Sequence, residues 1–114
     1  MDGLPGLLNR EVLLAFWKVH ILHHAQEGSI YGLGILAELR RHGYEISPGT
    51  LYPLLQRLER RGWLRQHVGG EPGARARREY RLTSDGGVAL ELLRAKVREL
   101  YEEVVLRREG AADG

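Results

Sequence analysis

The pattern of apolar and polar positions divides the chain into six elements. Residues Leu8 to Gln26 read as a helix that is apolar nearly all round, through Leu8, Val12, Leu13, Leu14, Phe16, Trp17, Val19, Ile21 and Leu22. A helix without a polar side must be covered on every side. A chain of 114 residues has little to cover it with, so the surplus points to a second subunit. Glu27-Gly28-Ser29 breaks this helix, and Ser29 is the expected cap of a second one over about Ile30 to His42. Leu33, Leu36, Ala37 and Leu39 keep helical spacing there, and Gly43 ends it. Ser47 followed by Pro48 is a strong start signal for a third helix, which runs to about Arg61 before Gly62 stops it. Leu51, Leu54, Leu55 and Leu58 form one stripe on it. Pro53 has no backbone donor, so Thr50 is the alternative cap, which would put Pro53 at the third helical position where no donor is needed.

Trp63 to Val68 and Arg78 to Leu82 alternate weakly around Gly69-Gly70-Glu71-Pro72-Gly73, which predicts a hairpin. Thr83 or Ser84 caps a last helix reaching about Arg108. One side of it carries Leu93, Val97, Leu100, Tyr101 and Val104, the other Glu91, Arg94, Arg98 and Glu102. The ends, Met1 to Gly6 and Gly110 to Gly114, are expected to fray. Three helices, two strands and a helix make a mainly α chain with a small β-hairpin. This order is that of a winged helix-turn-helix. It would occupy residues 1–83, including the N-terminal helix, with a C-terminal dimerisation helix and tail over 84–114.

Composition removes several classes of chemistry. There is no cysteine, hence no disulfide, thiolate metal site or cysteine nucleophile. No apolar run is long enough to span a bilayer and no secretory pattern opens the chain, so no membrane partner and a cytoplasmic location are expected. The formal net charge of +2 says little, but its distribution says more. Between Arg57 and Arg81 stand eight arginines against three glutamates. Arginine suits bidentate contacts to phosphate and guanine better than lysine does.

With the leucine stripe turned to the core, Gly49, Tyr52, Pro53, Gln56 and Arg60 fall on the outward side of the third helix, flanked by Thr50 and Arg57. That face has no acid and offers a hydroxyl, an amide and guanidinium groups, which read base edges in the major groove. Gly49 lets the backbone approach closely, and the helix start at Ser47 favours a phosphate. A merely solvated face usually carries Glu and Lys rather than Gly, Tyr and Pro. Arg75, Arg77 and Arg78 on the hairpin would supply backbone affinity independent of sequence. The expected partner is therefore a double-stranded DNA operator.

The run Tyr44-Glu45-Ile46-Ser47-Pro48-Gly49-Thr50-Leu51-Tyr52-Pro53-Leu54-Leu55, with Arg57-Leu58-Glu59 and Gly62-Trp63-Leu64, closely resembles the recognition segment of PadR-family transcriptional regulators. Arg78-Glu79-Tyr80-Arg81-Leu82-Thr83 resembles the family's second wing strand. Tyr31-Gly32 resembles its pair at the start of the second helix, although Ile30 stands where a histidine is usual. The resemblance spans about Val12 to Gly87. It implies a dimeric bacterial repressor that binds an imperfect inverted repeat through the recognition helix and wing, with Tyr31 joining the DNA-contacting set. It also implies dimerisation through the first and last helices, here Leu8, Val12 and Phe16 with Leu93, Val97, Leu100, Tyr101 and Val104. One helix after the wing is the mark of the short-tailed branch. Effectors vary across the family, and none is implied for this chain.

Other chemistry is thin. His20 and His24 stand at i, i+4, with His23 between them, but no carboxylate or cysteine follows at a matching spacing, although Glu27 lies one turn beyond His23. A structural role or a wet helix end is preferred, and no metal ligand or cofactor is assigned. Nucleophile-elbow, phosphate-loop and His-Glu-x-x-His motifs are all missing, so an enzyme is disfavoured. Two alternatives remain: a protein-binding winged helix with an incidental basic stretch, and another winged-helix family such as the MarR type. The Ser-Pro-Gly-Thr-Leu-Tyr string stands against the latter. In a dimer, Phe16 and Trp17 would wall a cleft suited to a small aromatic effector.

Overall fold

The computed structural model describes residues 10–69 and 77–107, with only the backbone of Gly69 and Arg77. Leu8, Arg75, the hairpin tip and the two chain ends named above lie outside the described residues. Helix α1 spans Arg10–Glu27, the short strand β1 Ile30–Tyr31, α2 Gly32–Arg41 and α3 Pro48–Arg60. Strands β2 (Leu64–Gly69) and β3 (Arg77–Leu82) follow, then α4 (Ser84–Tyr101), whose last turn widens into a π-helical turn over Glu102–Leu106.

The core lies between the three N-terminal helices, the sheet and the first half of α4. Ile21, Leu22, Leu39, Leu51, Leu54, Leu55, Leu58, Leu64 and Leu90 are fully buried in it. All four leucines of the α3 stripe are therefore covered. Glycine ends two elements where the chain needs a left-handed residue: Gly43 after α2 (φ 96°) and Gly62 after α3 (φ 84°). Trp17 is 3% exposed and meets the edge of Tyr44 at 6.2 Å between ring centroids. It fills the core rather than walling a cleft, which corrects the expectation for this residue; Phe16 alone of the pair is at the surface.

The start of the second helix also differs from expectation. Ser29 does not cap it, and Ile30 is not helical. Ile30 and Tyr31 pair antiparallel with Tyr80 and Glu79, so the hairpin becomes a three-stranded sheet in the order β1-β3-β2. The extended backbone of Tyr31 (φ −132°, ψ 156°) then serves as the N-cap position of α2. Two gains favour this arrangement: the open edge of β3 is covered, and Ile30 drops into the core at 8% exposure. Ser29 instead accepts a hydrogen bond from Arg81 Nε at 3.3 Å. In α3 the cap is Ser47 and Pro48 is the first helical residue, so Thr50 is not the cap and Pro53 lies inside the helix. The missing Pro53 donor leaves the Gly49 carbonyl without its intrahelical partner. Gly49 is exposed, so water can serve that carbonyl.

Thr83 fixes the junction of wing and last helix. Its hydroxyl donates to the Gly62 carbonyl at 2.5 Å and accepts from Gly86 N at 2.9 Å, while its own N–H donates to the Trp63 carbonyl at 3.1 Å. The start of α4 consequently lies on the α3–β2 turn, with no room for a side chain at Gly86. A Cβ there would collide with the Trp63 carbonyl and stand 2.7 Å from Leu82 Cδ1. The neighbouring Gly87 has only Leu82 Cδ2, at 4.0 Å. Gly86→Ala should therefore destabilise the fold by about 1–3 kcal/mol. Gly87→Ala should stabilise it by about 0.5–1 kcal/mol through helix propensity. Denaturant unfolding of the two variants against the parent checks both signs; equal effects would contradict this packing.

Candidate nucleic-acid interface

Burial of the leucine stripe sets the outward side of α3. Gly49, Tyr52, Pro53, Gln56, Arg57 and Arg60 are exposed, with Ser47 and Pro48 at the helix start; Thr50 is half-buried at the margin. The one acid in α3, Glu59, is turned away, and its Oε2 accepts from the backbone N–H of Gln66 at 3.3 Å. That bond also ties β2 to α3. Just beyond Glu59, at the C-cap of α3, Arg61 lies over the Trp63 ring, 5.3 Å from its centroid, in cation–π geometry.

Tyr52 is placed by α2 as much as by α3. Its ring lies on Gly32, where a Cβ would stand 2.6 Å from Cζ. Tyr31 covers Gly34 in the same manner. Glycine at position 32 lets the two helices approach with the Tyr52 ring between them, whereas the Tyr31–Gly34 contact lies within the start of α2. The connection is braced by Arg40, whose Nε donates to the Ile46 carbonyl at 3.1 Å. On the sheet, Arg78 is exposed. Arg65 and Arg81 are exposed too and face each other in register across β2 and β3. Like charges opposite one another are unfavourable. Strand register makes neighbours of these two members of the basic stretch, which their spacing in sequence does not show.

The residues expected at a subunit interface divide by position. Val12 and Phe16 on α1 are 45% and 48% exposed. On α4, Leu93 packs against the core of its own chain, whereas Val97, Leu100, Tyr101 and Val104 are about half exposed. From Ala95 to Arg107 every residue is exposed. Among the described residues, no helix is long and apolar enough to cross a membrane.

A second polar cluster gathers where α1 meets α2. His20 and His24 come from α1, Glu38 from α2, His42 from its C-cap and Tyr44 from the connection beyond. The His20 ring centroid lies 4.8 Å from that of His42 and 6.4 Å from that of His24. Glu38 Oε1 stands 3.3 Å from His42 Nε2 and 3.7 Å from His24 Nε2. Arg41 donates to both carboxylate oxygens of Glu38. Its hydrogen bond, seconded by its charge and by His24 and His42, pulls the Glu38 carboxyl down to about 2. Partial burial, followed by the neighbouring His42, His24 and His23, holds His20 below the ordinary imidazole value. The Tyr44 hydroxyl is 3.4 Å from His20 Nε2.

Comparison with known proteins agrees with this architecture. The sequence profile of the Transcriptional regulator PadR-like family matches residues 21–92. The transcriptional regulator Rv3488 of Mycobacterium tuberculosis is 47% identical over 96 residues, covering 84% of this chain and 89% of that protein. The crystal structure of a Streptococcus transcriptional regulator superposes with a TM-score of 0.76 at 25% identity, over 84% of this chain and 95% of the other. PadR of Bacillus subtilis, solved in complex with operator DNA, shares the fold at a TM-score of 0.59 and 20% identity, over 67% of this chain and 45% of its own. The wing, the recognition segment and these relatives are those of regulators and not of enzymes. The chain belongs to the PadR-like family of transcriptional regulators.

Proposed function

We propose that the protein is a transcriptional repressor that acts in the bacterial cytoplasm and binds an inverted-repeat operator as a homodimer. The observation that carries this reading is the outward side of α3, which is free of acid and combines Gly49, Tyr52, Gln56, Arg57 and Arg60 on one exposed surface. Tyr52 and Gln56 would read base edges; Ser47, Gly49, Thr50 and Pro53 would let the helix start approach the backbone, with Tyr31 beside them. Arg57 and Arg60, with Arg75, Arg77 and Arg78 of the wing, would hold phosphates. PadR of Bacillus subtilis, solved in complex with operator DNA, supports the same partner here.

The apolar positions left uncovered on α1 and α4 support the dimer. Val12, Phe16, Val97, Leu100, Tyr101 and Val104 would close on their counterparts, with Leu8 and Leu93 at the two ends of the seam. Burying such surface is worth roughly 25 cal/mol per Å² before association costs. A two-fold axis would set two α3 helices about 34 Å apart, one turn of DNA, which calls for an inverted repeat. A small aromatic effector would sit in the cleft beside Phe16 where the subunits meet.

Four outcomes are expected. Log affinity for operator DNA falls linearly with log salt, with about 6–10 phosphates neutralised per dimer; a flat dependence in fluorescence anisotropy would refute the phosphate contacts. Arg77→Ala and Arg78→Ala weaken all sequences alike, whereas Tyr52→Ala and Gln56→Ala lose about 1–3 kcal/mol of discrimination between operator and mismatched sites. Gly32→Ala, which pushes the Tyr52 ring aside, reproduces the specificity loss of Tyr52→Ala and adds little to it in the double variant. Val97→Asp with Val104→Asp gives a monomer by light scattering and abolishes operator binding; a parent chain that is monomeric at micromolar concentration yet binds its operator tightly would sink the dimer.

A further inference from the structure

Outside the surface assigned to DNA, the most concentrated chemistry is the junction of α1 and α2. Two i, i+4 pairs face each other there: His20 and His24 on α1, Glu38 and His42 on α2 and its C-cap. Facing helices that each contribute such a pair are a recurrent way of building a metal site in a helical core. Spacing along the sequence shows the first pair with no carboxylate at a matching spacing, although Glu27 lies one turn beyond His23. The fold brings one from the next helix.

We propose that His20, His24, His42 and Glu38 form a binding site for a divalent transition-metal cation of the zinc class. A ligand nitrogen from each of the three histidines lies within 4.8 Å of the other two. Bonds of about 2.0–2.1 Å to a tetrahedral zinc ion put neighbouring ligand atoms about 3.3 Å apart. Glu38 Oε1 already stands at 3.3 Å and 3.7 Å from the nitrogens of His42 and His24. Glu38 is not within 4.8 Å of all three nitrogens, so completing four ligands takes rotation of its side chain as well as of the rings, which are half-buried or exposed. Arg41 holds both oxygens of the carboxylate, Nε on Oε2 at 3.2 Å and Nη2 on Oε1, and orients it as outer-shell partners of metal ligands do; the ion would share Oε1 with Nη2 or displace it. Three imidazoles and one carboxylate suit zinc, cobalt(II) or nickel(II) rather than the all-oxygen preference of magnesium or calcium. Two of the four ligands, His24 and Glu38, line an open cleft of about 470 Å³, which reaches the edge of the cluster; His20 and His42 do not line it. His23, His24 and Glu27 form a competing set one turn along α1. That set is confined to a single helix, whereas the proposed one joins α1 to the first helix of the helix-turn-helix.

The test is titration of the full-length, chelator-treated protein with Zn²⁺ by calorimetry and with Co²⁺ by visible absorption. One ion per chain and the intense absorption of four-coordinate cobalt are expected. His20→Ala and His42→Ala should each lower the association constant on the order of 100-fold or more, and Arg41→Ala on the order of 10-fold. His23→Ala and His67→Ala should leave it unchanged, and far-UV circular dichroism checks that every variant is folded. Conservative His42→Gln should behave as His42→Ala. No stoichiometric binding in the parent would reduce the cluster to a hydrogen-bonded network and overturn the proposal. So would binding that survives His42→Ala and is lost in His23→Ala, which would assign the ion to the set on α1 alone. Neither result depends on whether the protein binds DNA.

Discussion

The architecture turns on the burial of four leucines. Leu51, Leu54, Leu55 and Leu58 occupy i, i+3, i+4 and i+7 of α3, and none is more than 1% exposed. One leucine side chain removed from water contributes about 1.5–3 kcal/mol. A rotation of α3 that exposed two or three of them would cost a large part of the stability of a small domain. The helix is thus held in one orientation about its own axis, and the positions that face outward follow without further choice. Core packing chooses the surface. The outward residues are then free of the core's demands, and Gly, Tyr and Pro stand on a helix face that solvation alone would fill with Glu and Lys.

The last helix serves two ends along one axis. Its first half is part of the domain: Thr83 caps it onto the α3–β2 turn, Gly86 lies against the Trp63 carbonyl, and Leu90 completes the core. Its second half, from Ala95, touches nothing of its own chain that buries it. A helix end carrying half-exposed Val97, Leu100, Tyr101 and Val104 has little reason to persist in water by itself, because most helical stability in proteins comes from packing an apolar face. Two rigid attachments, one at each end, would make α4 a strut between the subunit seam and the wing.

Much of this was legible because it is written in local signals. Proline after serine, glycine after a periodic run and a glycine-rich interval between two alternating segments fixed α3, its stop and the hairpin. Where the fold departs from these signals, contacts distant in sequence decide at Ile30 and Trp17, and a balance within α3 decides at Pro53. Ile30 and Tyr31 look like the first turn of a helix until β3, almost fifty residues later, offers an edge to pair with. Pro53 argues for a shorter helix until the leucine stripe and the cap at Ser47 outweigh one lost hydrogen bond. Trp17 reads as surplus on an all-apolar helix until Tyr44 closes over it. The imidazole cluster was half visible, because spacing within α1 shows His20 and His24, while only the crossing of α1 and α2 brings in Glu38 and His42.

Those histidines connect with the proposed seam through the geometry of α1. Val12, Phe16, His20 and His24 follow one another at four-residue steps, a single row along the helix. Its N-terminal half presents exposed apolar side chains, and its C-terminal half presents imidazoles to α2. Buried Trp17, Ile21, Leu22 and Ala25 hold α1 in the core, so it moves as a rigid body or not at all. A ligand drawn between α1 and α2 at the imidazole end therefore acts on the same body that would carry Val12 and Phe16 into a dimer. In the proposed dimer, the distance between the two α3 helices would depend on it. An ion bound there would have a mechanical route to operator affinity, and by linkage the DNA would change the affinity for the ion by the same factor.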